Sequence, residues 1–394
     1  MFKMMFTVLP FLIAVLLIPA FVIPARVKTR MQAVWAMLFL FCASKFLCFE
    51  TLGGDMFAPE LPDKAIWFWN WAYSGMCALL VLSLLMLPVR FFLARRIWSE
   101  RWRTAWFAGL PILAWTMSAI GVYNGYKVPE LKEIAVEYEN LPDGLDGYKI
   151  VHITDIHASS AQRRWRTQAI VDLANSVKPD LICVTGDLSD GYSFKRKRDL
   201  EPIKKLEAAD GVYFTTGNHE YYFDAINWKM IFSKWGLRFL ENRCVFPRPD
   251  LAVGGVNDVA CERVRDLSPD PGGVFAMATN GEFRVLLQHR PAPEYDRMYS
   301  KSYSYRADLQ LSGHTHGGIM PGLRYAVKRS NGGLVKGLYR KYDGSAVYVS
   351  PGAGQWAGFP VRFFNDGEIT VIRLVKRNKI ASVQRCRKPM TLEK

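Results

Sequence analysis

Tyr148-Lys-Ile-Val-His-Ile-Thr-Asp155-Ile-His157 is a short apolar run that ends in a carboxylate and an imidazole two residues apart. Four later stretches repeat the plan. Leu181–Thr185 leads into Gly186-Asp187-Leu-Ser-Asp190, and Val212–Thr216 into Gly217-Asn218-His219-Glu220. Phe283–Gln288 leads into His289-Arg290, and Asp308–Ser312 into Gly313-His314-Thr-His316-Gly317-Gly318. Runs this short, β-branched or aromatic and bounded by Gly, Pro or Asp, read as strands. Helix-like segments at Arg166–Val177 and Leu200–Ala209 separate the early ones, so the alternation predicts an α/β sheet with crossover connections. Ligands in such sheets lie beyond the carboxyl ends of the strands. All five polar clusters sit at those ends, and one side of one sheet is expected to gather them. Leu251–Val256, Val347–Ser350 and Ile369–Leu374 follow more closely and predict a second, more antiparallel part.

The chain contains 6 histidines, of which only His152 lies inside a run rather than at its end. A solitary histidine is ordinarily a satisfied core or surface residue. Five arriving at one structural position beside Asp and Asn call for a shared cause, and metal binding is the simplest. Imidazole with carboxylate and amide oxygen suits Zn, Mn or Fe, whereas an all-oxygen set favours Mg or Ca. Two ions a few ångströms apart need a shared carboxylate. Asp187, alone on its turn, is placed to bridge. The 7 cysteines form no Cys-x-x-Cys pair, which argues against a thiolate site. Cys244 and Cys261 are candidates for pairing if their domain is outside the cell.

Asp-x-His, Gly-Asp-x-x-Asp, Gly-Asn-His-Glu, a later His and Gly-His-Thr-His-Gly-Gly, in this order, resemble the calcineurin-like metallophosphoesterase family. The resemblance covers about residues 145–375. Val253-Gly-Gly-Val-Asn-Asp258, Tyr348-Val-Ser-Pro-Gly-Ala-Gly354 and Pro360-Val-Arg362-Phe narrow it to a bacterial membrane-linked phosphodiesterase branch. It implies two divalent ions, one held by Asp155, His157, Asp187 and His316, the other by Asp187, Asn218, His289 and His314. His219, oriented by Asp190, corresponds to the histidine that protonates the leaving oxygen or contacts the phosphoryl group, with metal-activated hydroxide as the attacking species. The chain departs from the branch at Arg290, where Asn is commoner and a phosphate contact is added, and at Ile319, where Gln is commoner.

Residues 1 to about 125 differ sharply from the rest, being dominated by Leu, Phe, Trp, Ala and Met. A bilayer core needs about 20 apolar residues per helix, and residues 4–24, 31–49, 65–88 and 104–123 meet that length. The first lacks a convincing cleavage site and is read as a retained helix. Arg26, Lys28 and Arg30 in the first connection, and Arg90, Arg95, Arg96, Arg101 and Arg103 in the third, place both on the cytoplasmic side. Asp55, Glu60 and Asp63 mark the second as external, with Trp67, Trp69, Trp71 and Tyr73 as its aromatic belt. The chain is thus expected to be multi-pass in the cell inner membrane with a periplasmic catalytic domain. Lys45, inside the second span, is expected to snorkel toward the interface near Glu50, the alternative being a functional polar site within the helical bundle.

The expected organisation is an N-terminal α-helical transmembrane region over 1–126, a linker over 127–147, an α/β metallophosphoesterase domain of mixed sheets flanked by helices over 148–375, and a basic tail over 376–394. The net charge of +15 raises the question of nucleic acid. Part of it belongs to the membrane connections, and no RNA-binding motif or zinc finger is visible, so nucleic acid is not an expected partner. Basic clusters at Arg163–Arg166 and Lys195–Arg198 point instead to anionic lipid or substrate. Lys195–Arg198 reads as a solvated loop, and Gly352–Gly354 as a structural bend rather than a phosphate cradle. The sequence therefore predicts a membrane-anchored phosphoesterase acting on phosphodiester or phospholipid-type substrates. The competing expectations are a non-catalytic receptor or scaffold that keeps the fold, and a hydrolase of a nucleotide-linked lipid precursor.

Overall fold

A computed structural model describes residues 2–22, 28–93, 100–279, 281–291, 307–319 and 322–377. The chain divides into two compact units, residues 1–126 with 357–362, and residues 127–356 with 363–394.

The first unit is helical: α1 (Phe2–Leu17, extended by a π-helical turn over Ile18–Val22), α2 (Thr29–Ala43), α3 (Lys45–Gly53), α4 (Asp63–Leu93) and α5 (Glu100–Tyr126). Among the described residues three helices, at Lys3–Val22, Asp63–Val89 and Trp106–Tyr126, are long and apolar enough to cross a membrane. The expected second span is instead the pair α2 and α3, bent by 47°. The break falls at Ser44, whose hydroxyl donates back to the carbonyl of Phe41 at 2.7 Å and so competes with the helical ladder. Of the connection charges, Arg26, Arg95 and Arg96 lie outside the described residues, as does the basic tail beyond Arg377.

Lys45 does not snorkel. It is fully buried, its Nζ donates to the carbonyl of Gly358 at 2.5 Å and it sits 4.4 Å from the Phe46 ring centroid. Glu50, its expected neighbour, pairs with Lys3 at 2.9 Å. Gly358 belongs to a six-residue segment, Ala357–Arg362, that the helical unit holds as its own. Asn70 donates to the Ala357 carbonyl and to the Tyr126 hydroxyl, while the Arg362 amide donates to Gly121. The domain expected to run unbroken over 148–375 is therefore interrupted there, because buried polar groups on apolar helices need partners that the helices alone cannot supply.

The second unit packs two six-stranded sheets face to face. The first has the order β1 (Glu130–Tyr138), β12 (Glu368–Lys376), β2 (Lys149–Ile153), β3 (Leu181–Val184), β4 (Val212–Phe214), β5 (Arg238–Phe239). The second runs β10 (Gly337–Arg340), β11 (Ala346–Val349), β9 (Leu309–Ser312), β8 (Phe283–Leu287), β7 (Leu251–Gly255), β6 (Arg243–Arg248). Strand alternation divides the side chains between layers. Ile150 joins Leu181, Tyr213, Val253, Val285, Leu311 and Tyr348 in the core between the sheets. Val151 and Ile153 point the other way and pack with Ile170 and Val171 of α6 (Arg164–Ser176) and with Trp228 and Phe232 of α9 (Ala225–Lys234).

Three expectations need correction. The ligand-bearing strands belong to two sheets, not one: β2, β3 and β4 to the first, β8 and β9 to the second. Nor do the later strands form a part of their own: β7 and β11 each pair one neighbour in parallel (β8, β9) and one antiparallel (β6, β10), and β12 lies antiparallel to β2 in the first sheet. Residues 127–147 are not a linker. Glu130–Tyr138 forms a nine-residue strand parallel to β12, with Val136 and Tyr138 in the inter-sheet core. Glu133 and Glu137 are exposed on this sheet edge, where charge discourages further strand pairing, and such residues hide the alternation in a composition reading.

Candidate metal centre

Each ligand-type residue stands on a turn at the carboxyl end of a parallel strand. Asp155 and His157 follow β2, Asp187 and Asp190 follow β3, and Asn218 and His219 open α8 (Asn218–Phe223) after β4. His289 follows β8, and His314 and His316 follow β9. The first two turns continue the sheet beyond its strands: the amide of Asp155 donates to Gly186, that of His157 to Asp187, and that of Asp190 to Ala158. Facing loops are joined likewise, with the Gly313 amide on His289 and the Gly354 amide on Asp155.

Backbone strain marks the same residues. Asp155 (φ 53°), His157 (49°), Asp187 (53°), His314 (67°) and His316 (47°) all adopt left-handed conformations. Asp and His tolerate this region better than most residues, yet each costs about 1 kcal/mol or more and persists only where the surroundings over-determine it. The turns also demand glycine. A Cβ on Gly217 would lie 2.2 Å from Asp187 Oδ1, and one on Gly313 would lie 2.1 Å from Asp155 Oδ2.

Among the described residues the side chains converge in three overlapping groups: Asp155, His157 and His316; His157, Asp187 and His219; Asp187, His289 and His314. Within each group the ligand-type atoms lie within 4.8 Å of one another. Asp187 Oδ2 is 3.1 Å from His289 Nε2 and 3.8 Å from His157 Nε2. His157 donates through Nδ1 to Asp190 at 2.8 Å, and His289 through Nδ1 to the Thr185 carbonyl at 2.7 Å. Those bonds fix each ring and aim its Nε2 inward, the arrangement in which a metal-binding histidine is oriented by its other nitrogen. His157 Nε2, His289 Nε2 and Asn218 Oδ1 are buried without a hydrogen-bond partner among the described residues. Buried polar atoms rarely go unpaired. Lone-pair donors of this kind, gathered around carboxylates, fit a divalent cation.

The electrostatics agree. Burial resists charge on His289, but the carboxylates of Asp187 and Asp155 outweigh it and raise its pKa to about 9. Burial likewise opposes charge on His157, and Asp190, Asp155 and Asp187 hold its pKa well above the ordinary value. Burial would raise the Asp187 carboxyl, yet His289, His219 and His157 keep it well below the usual range. The site thus carries a negative field that favours positive charge within it. His314 is the exception, since burial and the neighbouring His289 and Arg290 press its pKa down, leaving a neutral imidazole.

Two residues take places that their sequence context did not assign. Glu220, fully buried, accepts the amides of Asp187 at 2.9 Å, Leu188 at 2.7 Å and Gly217 at 2.8 Å, tying two ligand turns together. Its position three residues after Gly217 is capping-box spacing, the signal that could have found it. Trp356 lies far along the chain from His219, yet their ring centroids are 6.5 Å apart. Arg290, expected to reach phosphate, forms a two-pronged pair with Asp258, at 2.8 and 3.2 Å. His152 stays in the core, bonded to the Thr185 hydroxyl at 2.8 Å.

Sequence comparisons cover the same region. The family model for calcineurin-like phosphoesterase matches residues 148–318. A metallophosphoesterase of Helicobacter pylori is 31% identical over 264 residues, 66% of this chain and 67% of that one. A Danio rerio transmembrane protein with metallophosphoesterase domain is 31% identical over 277 residues, 67% of this chain and 61% of its own length. Bacillus subtilis YkuE, a metallophosphoesterase by name, is 30% identical over 259 residues, 63% of this chain and 86% of that one. The strained turns and their converging Asp and His side chains lie almost wholly within the matched residues, and on these grounds the chain belongs to the calcineurin-like metallophosphoesterase family.

Proposed function

We propose that this protein is a membrane-anchored hydrolase of phosphodiesters, phospholipid-type esters included, that works with two divalent ions drawn from Mn, Zn or Fe. The observation that carries the reading is the position of Asp187, whose carboxylate belongs to two of the three ligand groups at once. Asp155, His157 and His316 would hold one ion and Asn218, His289 and His314 the other, with Asp187 shared. Bound there, the ions would supply Lewis-acid stabilisation of the phosphoryl oxygens and an activated water.

The remaining work falls to the chain. Asp190 Oδ1 accepts both His157 Nδ1 at 2.8 Å and His219 Nδ1 at 2.7 Å. One carboxylate therefore orients a ligand and its catalytic neighbour together. His219 is 13% exposed at its side chain, whereas His157 is closed off, so His219 is the ring that can meet a substrate. Anchored through Nδ1, it presents Nε2 to protonate the leaving oxygen. The Asp187 carboxylate is positioned by the His219 amide, which donates to Oδ1 at 2.8 Å and leaves Oδ2 toward His289 and His157.

The test uses the full chain purified in detergent, with metal content measured and hydrolysis of bis(4-nitrophenyl) phosphate and of phosphatidylglycerol followed. Metal-loaded protein is expected to cleave both. If it binds its ions and cleaves no phosphoester, the hydrolase reading is wrong; cleavage of phosphomonoesters alone removes the diester assignment.

A further inference from the structure

A basic and aromatic face borders the catalytic turns of the second unit. It is built from the start of α6 and from α7 (Ser193–Leu200), a helix where the sequence reading expected a loop. The helix forms because Ser193 is fixed at its start by Asp224, which accepts the Ser193 amide at 3.1 Å and its hydroxyl. Helical spacing then sorts the residues. Ser193, Arg196, Asp199 and Leu200 are buried, while Phe194, Lys195, Lys197 and Arg198 are exposed. Beside it, the amide of Arg164 donates to Asp199 at 3.3 Å and its guanidinium to the Arg198 carbonyl at 3.1 Å, so Arg163 and Arg164 adjoin α7, with Trp165 the next residue of α6.

The apolar part of this face is as marked as the charge. Phe194 is 77% exposed, Trp165 56% and Tyr192 46%, large costs unless something covers them. The aromatic surface runs toward the catalytic group: Tyr192 lies 5.8 Å from Phe194 and 5.9 Å from Phe223, whose ring is 6.4 Å from His219. Carboxylates offset part of the positive charge, since Arg163 lies 3.9 Å from Asp199 and Arg164 pairs with Glu201. Lys195, Lys197 and Arg198 add to it along α7.

We propose that this face docks on an anionic lipid bilayer and sets the catalytic cluster against the headgroup layer. Cations alone would suit any polyanion, but a soluble polyanion gives an exposed Phe and Trp nothing to bury. Aromatic side chains flanked by Lys and Arg are the composition of a surface that sits at a membrane interface. The covalent chain keeps a bilayer within reach, because only Lys127, Val128 and Pro129 separate the last apolar helix, α5, from β1. The docking depends on the hydrolase reading only for its consequence, a substrate drawn from the headgroups.

The experiment reconstitutes the full chain in phosphatidylcholine vesicles with and without about one-third phosphatidylglycerol, and follows deuterium uptake of the segment 192–200. Anionic vesicles are expected to slow uptake there by about tenfold, an effect that added salt erodes. Lys195→Glu with Lys197→Glu and Arg198→Glu should remove the protection, and Phe194→Ser should weaken it. Retained cleavage of soluble bis(4-nitrophenyl) phosphate shows that each variant is folded, and where cleavage is absent in every form an unchanged melting temperature serves instead. Equal uptake in neutral and anionic vesicles would overturn the proposal. So would protection that polyphosphate reproduces on neutral vesicles, or that Phe194→Ser leaves intact. The uptake stands whether or not the chain cleaves phosphoesters, so failure of the hydrolase reading is seen separately.

Discussion

Asp187 and His219 sit side by side and should fail differently. Asp187→Ala removes the shared carboxylate and is expected to lose bound metal and activity together, measured by metal analysis of the purified variant. His219→Gln leaves the seven proposed ion-holding residues in place, so metal content should persist while kcat falls roughly 100- to 10,000-fold, the usual worth of a general acid. Glu220 belongs to none of the ligand groups found among the described residues but accepts three buried amides. Glu220→Ala strands those donors, at about 1–3 kcal/mol each, so a markedly lower melting temperature and loose metal binding are expected. Burial, and then the charge of Asp187, raise the pKa of Glu220, while the three amides it accepts act in the opposite direction. At this scale the donor types were legible from sequence, because Asp, Asn and His at strand ends announce themselves. Glu220 was not, because its role lies in backbone amides, two of them more than thirty residues away.

The turns decide how the elements serve the site. Gly217→Ala keeps every ligand, yet its Cβ would meet Asp187 Oδ1 at 2.2 Å, so the carboxylate must move. The expected outcome is metal loss with an unchanged far-ultraviolet circular dichroism spectrum. Strand existence was readable wherever apolar residues ran unbroken, as in β2 and β3. Register and sheet membership were not. The same five strand ends would suit one sheet or two, and only the packing of Ile150 and Leu181 against Val285 and Leu311 separates them. In β1, charged residues on an exposed edge masked a strand, and in α7 four consecutive basic residues hid a helix whose buried face is Ser193, Arg196, Asp199 and Leu200.

Over the whole molecule, the membrane reading rests on composition. With α2 and α3 counted as one bent span, up to four described segments are long and apolar enough to cross, and with four crossings the catalytic domain is expected outside the cytoplasm. A C-terminal alkaline phosphatase fusion should then be active and a green fluorescent protein fusion dark; the reverse pattern reverses the orientation. Chelation should abolish activity and lower the melting temperature, since an ion bound to the folded state alone stabilises it by mass action, and Mn, Zn or Fe should restore both. Lys45 shows the limit of reading a helical region from sequence. Its partner, the Gly358 carbonyl, lies 313 residues away, and a charge in an apolar span does not say where its partner is.

The sequence by itself determined that five strand ends carry Asp, Asn and His, that no cysteine pair is offered, and that apolar helices precede the site. These are local properties, set by residue type and period. Only the tertiary structure decided that two sheets share the ligands, that one Asp190 oxygen holds both His157 and His219, and that Glu220 ties the turns after β3 and β4. Those arrangements join residues by packing and by backbone hydrogen bonds, which any residue can supply and no motif records. Asp187 could be read as a bridge from its solitary place on a turn. Its two-sided contact with His157 and His289 exists because two sheets close over it.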